Sequence, residues 1–186
     1  AIFLSHQWVS SKHVDPKGHQ LRAFREVIIR ILDGSLVPET PAILEVREGG
    51  PIPGPSKGDL KRMRKGGIWY DWWSVPQIGV RDADTASASK DMLKAVESIP
   101  AYVLNSDLFV ALVPPVTHED TGKVCNAESW ESRGWCRVEY VCEALHPEIG
   151  LPSIVIKSTN TTVYLHPQTW LAHPQDIGNF TVAFDK

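Results

Sequence analysis

Short, unbroken apolar runs alternate along this chain with segments whose apolar residues recur every three or four positions. Ala1-Ile-Phe-Leu-Ser5 ends in polar residues and reads as a buried strand. Over residues 19 to 32 the apolar positions are Leu21, Phe24, Val27, Ile28, Ile31 and Leu32. That spacing predicts a helix with one buried face, stopped by Asp33-Gly34. Ile68-Trp-Tyr-Asp-Trp72 reads as a second buried strand. Met92, Leu93, Val96 and Ile99 mark a second helix, which Pro100 interrupts or restarts. Leu108-Phe-Val-Ala-Leu-Val113 is the clearest strand, wholly apolar and closed by Pro114-Pro115. Trp135, Val138, Tyr140, Val141 and Leu145 predict a third helix ended by Pro147, and Ile154-Val-Ile156 another buried strand.

Between these elements the pattern lapses. Residues 35 to 66 carry Pro38, Pro41, Pro51, Pro53 and Pro55 with Gly49, Gly50 and Gly54, and read as a long insertion after the first helix. It ends in a basic run, residues 57 to 65. That run fits a contact for an acidic partner or, more plainly, a solvated loop. A polar loop runs from Pro114 to about Ser132, and residues 158 to 186 read as an irregular C-terminal extension. Continuous apolar strands alternating with helices indicate a parallel sheet covered on both faces. The expected fold is an α/β three-layer sandwich, one domain over residues 1 to 186.

Composition narrows the function. At 186 residues the chain has the length of one domain, and 42% hydrophobic with 22% charged residues excludes a disordered one. Nineteen basic against 22 acidic residues leave a net charge of −3, which removes the simplest electrostatic case for a nucleic-acid binder. No apolar run approaches the roughly 20 residues of a membrane-spanning helix, and no signal-peptide pattern opens the chain. An opening inside an apolar run at Ala1 suits a piece of a longer protein. Three cysteines without framework spacing fit a reduced, cytoplasmic compartment. Seven tryptophans are the oddity. Five of them (Trp69, Trp72, Trp73, Trp130, Trp135) fall in two clusters and either fill a core or line a pocket.

Ligands of open parallel sheets bind at the carboxyl ends of strands. Those ends carry Ser5-His6-Gln7-Trp8, Asp71-Trp72-Trp73-Ser74 and the loop after Val113, three segments that converge on one rim. No Walker A or Gly-x-Gly-x-x-Gly loop follows the first strand, and no His/Cys spacing matches a zinc motif. No metal or resident cofactor is therefore expected. The richest segment is Ser132-Arg-Gly-Trp-Cys-Arg-Val-Glu-Tyr140. Trp135 and Glu139 stand four apart, neighbours on one helical face. An indole beside a carboxylate suits a substrate with a ring and a ribose. The same spacing also fits a core Trp135 and a Glu139 paired with Arg133 or another base.

Phe3-Leu-Ser5, Trp69-Tyr-Asp71, Ala95-Val-Glu-Ser98 and Ser132-Arg-Gly-Trp-Cys-Arg-Val-Glu139, in this order, resemble a TIR domain of the plant type across residues 1 to 157. The resemblance implies a flavodoxin-like fold and, in catalytic members, an NAD+ glycohydrolase with Glu139 as the essential glutamate. NAD+ is then substrate, cleaved between nicotinamide and ribose to ADP-ribose or a cyclic ADP-ribose in immune or cell-death signalling. Trp135 would pack at the base of the site or stack on a ring, beside Cys136. Ser5, His6, Gln7, Trp8 and Asp71 would line it, with Trp73 the first choice to sandwich a base. Self-association through TIR surfaces is implied as well.

This chain departs from the pattern where many enzymatic members carry first-loop arginines that bind phosphate. His6, Gln7 and Trp8 stand there, and the nearest basic groups are Lys12 and His13. Two other classes fit in part: a non-catalytic TIR adaptor that works by homotypic assembly, and a nucleoside deoxyribosyltransferase-like enzyme.

Overall fold

In the computed structural model, residues 1–76, 85–146 and 151–165 are described, residues 85–89 by backbone alone. The elements in chain order are β1 (Ile2–His6), α1 (His19–Asp33), α2 (Ala42–Glu48), α3 (Lys57–Lys65), β2 (Ile68–Trp69), α4 (Asp71–Ser74), α5 (Thr85–Glu97), α6 (Ile99–Leu104), β3 (Leu108–Leu112), β4 (Val116–Thr117), β5 (Val124–Cys125), α7 (Ala127–Ser132), α8 (Gly134–Ala144), β6 (Ile154–Ile156) and β7 (Thr162–Tyr164). Five strands form a sheet in the order β2-β1-β3-β6-β7, parallel except that β7 runs antiparallel to β6. The result is a mixed α/β fold with a mainly parallel sheet flanked by helices, a strand order compatible with a flavodoxin-like layout.

Period-two alternation divides the apolar strands between two cores. Ile2, Leu4, Val110, Leu112, Ile154 and Ile156 point to one face, where α1 seats Phe24, Val27, Ile28 and Ile31 against them. Phe3, Phe109, Ala111, Val113 and Val155 point to the other, against Ile99 and Val103 of α6 and Cys136 and Tyr140 of α8. The predicted first helix matches α1 almost to the residue. Gly34 ends it in the left-handed region at φ 81°, a conformation glycine enters without steric cost, and its N–H donates to the Ile31 carbonyl. Pro100 sits in the first turn of α6, where its missing N–H removes no helical bond, so the helix restarts there.

Three expectations are corrected. The insertion over residues 35 to 66 is not structureless. Ser56 and Asp59 form a reciprocal capping box that starts α3, so the basic run is a helix. Buried Leu44 and Met63 pin α2 and α3 to the α1-side core. The insertion also extends the sheet, because Glu39 exchanges backbone hydrogen bonds with Thr162 and Tyr164. The second strand stops at Trp69 rather than Trp72, since the chain turns into α4 at Asp71. The loop after Pro114 holds the β4–β5 hairpin and α7, the latter capped by Asn126 and Ser129. The expected helix end at Pro147 and residues 166–186 of the expected C-terminal extension lie outside the described residues. Among the described residues no helix is long and apolar enough to cross a membrane.

Candidate active site

β1 delivers Ser5 and His6 to its carboxyl end, and parallel pairing in register with β3 holds that end rigid. Ser5 is buried behind the site. Its Oγ accepts the Trp130 indole N–H at 2.9 Å and donates to Glu139 Oε2 at 2.5 Å. A chain of donors running from α7 through β1 to α8 therefore fixes the orientation of the carboxylate. Burial disfavours the charged form of Glu139 and pushes its pKa up to about 7. The Ser5 hydrogen bond, His6 and Arg133 act the other way, and Asp71 adds to the rise. Glu139 keeps partial exposure through a cleft of about 220 Å³.

Trp69 from β2 and Trp135 from the first turn of α8 wall the cleft together with Trp8 from the loop after β1, and Val75, Met92, Val96 and Ile99 form its apolar side. Phe3 stacks on Trp69 with centroids 4.4 Å apart, and Tyr102 packs on it at 5.4 Å, so that indole is immobilised. Trp135 and Glu139 both line the cleft, as neighbours on one helical face would.

Beside Glu139 lies a buried ion pair. His6 Nε2 meets Asp71 Oδ1 at 2.9 Å, and Asp71 also accepts from Trp8 Nε1 at 2.6 Å and from the Trp72 backbone N–H at 2.6 Å. Burial opposes a charged His6, but Asp71 and, beyond it, Glu139 outweigh burial and raise its pKa. Burial likewise opposes an ionised Asp71, yet His6 and the donated hydrogen bonds bring its pKa below the usual carboxylate range. Each partner thus favours the charged form of the other. His6 stacks on Tyr70 at 4.6 Å, which sets the ring plane.

The structure brings Ser5, His6, Trp8, Asp71, Trp135, Cys136 and Glu139 together, with Ser5 behind the wall rather than in it. Cys136 lines the cleft as a buried thiol whose pKa burial pushes well above its usual value, with Sγ 3.5 Å from the His6 carbonyl. Two residues fall elsewhere. Gln7 is a tie between helices: its Oε1 accepts from Ser129 Oγ at 2.6 Å and its carbonyl from Gln20 Nε2 at 3.0 Å. Trp73 is 64% exposed and packs on Tyr70, outside the cleft. Trp69 and Trp8, not Trp73, join Trp135 in the aromatic wall. Trp130 and Arg133 also belong to the site, and neither had a signal of its own beyond its place in or just before the Ser132–Glu139 segment.

Two larger hollows lie elsewhere. One of about 370 Å³ sits under the insertion among Ile31, Met63, Leu108 and Ile154 and is apolar. The other, about 460 Å³, lies by the loops after β1 and β3. There Asp15 is occupied in accepting from the His19 and Leu21 backbone N–H groups, and Lys17 pairs with Glu119 at 3.3 Å. The smaller cleft is the one that gathers a poised carboxylate, the His6–Asp71 pair and three indoles. Among the described residues, no three His, Cys, Asp or Glu side chains are grouped to hold a metal. Compared with family models, curated proteins and solved structures, this chain matches none.

Proposed function

We propose that this chain is an NAD+ glycohydrolase of the TIR type, built on a flavodoxin-like sheet and working in cytoplasmic immune or cell-death signalling. One observation carries the reading: the Glu139 carboxylate, oriented by Ser5 and Trp130, opens into a cleft walled by Trp69 and Trp135. A cleft of about 220 Å³ is below the usual 300–1,000 Å³ for drug-sized ligands, so it suits the nicotinamide–ribose half of NAD+. An indole wall stacks on the pyridinium ring, and Glu139 accepts from the ribose hydroxyls.

The nicotinamide–ribose bond breaks with its electron pair going to the ring nitrogen, which leaves as neutral nicotinamide and needs no proton. The ribose becomes oxocarbenium-like, as in sugar hydrolysis. Glu139 stabilises that positive charge from its half-buried position, where an oriented carboxylate acts more strongly than in bulk water. Water then attacks the anomeric carbon and loses a proton, giving ADP-ribose; attack by the adenine of the same molecule gives a cyclic product. The working form of Glu139 is the carboxylate, so the rate rises with pH through about 7.

The test is nicotinamide release from NAD+ by concentrated protein, since self-association through TIR surfaces is part of the proposal. Glu139→Ala is expected to lower release at least a thousandfold, about 4 kcal/mol of barrier, while the fold survives. Undiminished release ends the assignment of Glu139. A second reading, an assembly adaptor without catalysis, draws support from the first loop. Lys12 is exposed and His13 packs on Trp72, so neither lines the cleft. Silence of the wild type under induced assembly would favour that reading.

A further inference from the structure

We infer that Arg133 is the phosphate-reading residue of the cleft, so that its ligands are phosphorylated nucleotides rather than nucleosides. This rests on reading the cleft as an NAD+ site and extends it to what the site selects.

Arg133 occupies the junction of two helices, as C-cap of α7 and N-cap of α8. Its backbone is pinned there: its N–H donates to the Trp130 carbonyl at 3.1 Å, and its carbonyl accepts from the Arg137 N–H at 3.0 Å. The side chain, half-buried, lines the same cleft as Glu139, Trp69 and Trp135. Among the described residues its guanidinium makes no hydrogen bond and no salt bridge. The nearby acids do not neutralise it. Glu139 is engaged by Ser5, and Asp71 by His6, Trp8 and Trp72. Arg133 acts on Glu139 only at a distance, lowering its pKa.

A guanidinium carries five N–H donors in a fixed, planar fork that matches two oxygens of a phosphate. Drawn half out of water without an anion, that fork is a recognition element waiting for its counterpart. The other basic groups near the site do not compete for the role. His6 is bound to Asp71, and Lys12 and His13 lie outside the cleft. The order of groups also fits. With a ring against the indoles and a ribose on Glu139, the next group of a nucleotide is its phosphate, and the remaining free cation among the described cleft residues is Arg133. A nucleoside would leave the fork empty. The cleft therefore discriminates by the presence of phosphate, which also separates it from a nucleoside deoxyribosyltransferase.

The experiment is equilibrium binding of ADP-ribose and of nicotinamide riboside to the full chain, by calorimetry at low and high salt. Arg133→Ala is expected to weaken ADP-ribose at least tenfold and to shrink its advantage over the riboside by the same factor. Salt sensitivity of the remaining binding should largely vanish. Arg133→Lys, which keeps the charge and loses the fork, should weaken ADP-ribose several-fold, and it supplies the result where the alanine variant fails to fold. Arg25→Ala, an exposed arginine of α1, should change affinity less than twofold. The inference is overturned if Arg133→Ala binds ADP-ribose as the wild type does, or if the wild type shows no preference for ADP-ribose. Phosphate-dependent binding without nicotinamide release would leave Arg133 standing and remove the hydrolase; nicotinamide release indifferent to Arg133 would do the reverse.

Discussion

On the face of the sheet that meets α1, the strands present Ile2, Leu4, Val110, Leu112, Ile154 and Ile156, an aliphatic layer closed by α1. The same strands present Phe3, Ser5, Phe109, Ala111, Val113 and Val155 to α6, α7 and α8, with a polar relay from Trp130 through Ser5 to Glu139 set among aromatic rings. Burial on the first face is favourable at every position. On the second it is favourable for the rings and unfavourable for the carboxylate, whose pKa it raises to about 7. The contrast is what supports the proposed site: one face fills space, whereas the other holds a group in a form that stability alone would not select.

The comparison breaks most visibly if large truncations on the two faces behave alike. After loss of turnover in Glu139→Ala, the largest expected effect is on stability at the scaffold face. Leu4 is 1% exposed, and Leu4→Ala should lower unfolding free energy by about 2–5 kcal/mol, read from the shift in denaturant midpoint. A loss below about 1 kcal/mol would show that this face is loosely packed.

Glu139→Gln should do the opposite. The folded protein holds the Glu139 proton more tightly than the unfolded chain, so wild-type stability falls as pH rises from about 4.5 to about 7. The ionised form costs on the order of 3 kcal/mol in the folded state. The glutamine variant lacks that cost, so it should be more stable than the wild type by about 2–3 kcal/mol at pH 8.5, with the gap closing below pH 4.5. Thermal unfolding followed across pH checks this, and a pH-independent gap would contradict it. The His6–Asp71 pair contributes separate slopes. The raised His6 pKa adds stability that is lost as pH climbs through it, and the lowered Asp71 pKa adds stability that is lost as pH falls through it.

Ser5→Ala gives the smallest stability change, about 1–2 kcal/mol for two lost hydrogen bonds, the one accepted from Trp130 and the one donated to Glu139. It sharpens the comparison by a different readout. Ser5 donates to Glu139 and so favours its ionised form; without it, the rise of NAD+ cleavage with pH should move to higher pH. A pH profile that stays in place would mean that Ser5 holds the backbone and not the carboxylate.

Residues with a strong local pattern were the legible ones. α1 and β3 follow from their spacing, because period and burial there agree over a long stretch. Short helices hid behind proline and glycine. α3 and α7 each rest on a reciprocal cap, a local signal that weighs less in a sequence than five prolines do, although one Ser or Asn suffices to start the turn. Glu139 and Trp135 were legible as a helical pair within a recognisable segment. Their surroundings were not: Ser5 lies 134 positions from Glu139, and His6 lies 65 from Asp71. Trp73, the first choice to sandwich a base, lies outside the cleft for a geometric reason. The chain leaves the extended conformation at Asp71, so alternation along a strand no longer governs Trp73.

The order of apolar strands and amphipathic helices, the parallel sheet and the carboxyl-end rim belong to the sequence alone, because periodicity and chain connectivity set them locally. Which face carries the buried carboxylate, which indoles wall it and which arginine stands beside it were decided by tertiary packing. Those properties depend on distances and dielectric surroundings that exist only once residues far apart in the chain have met.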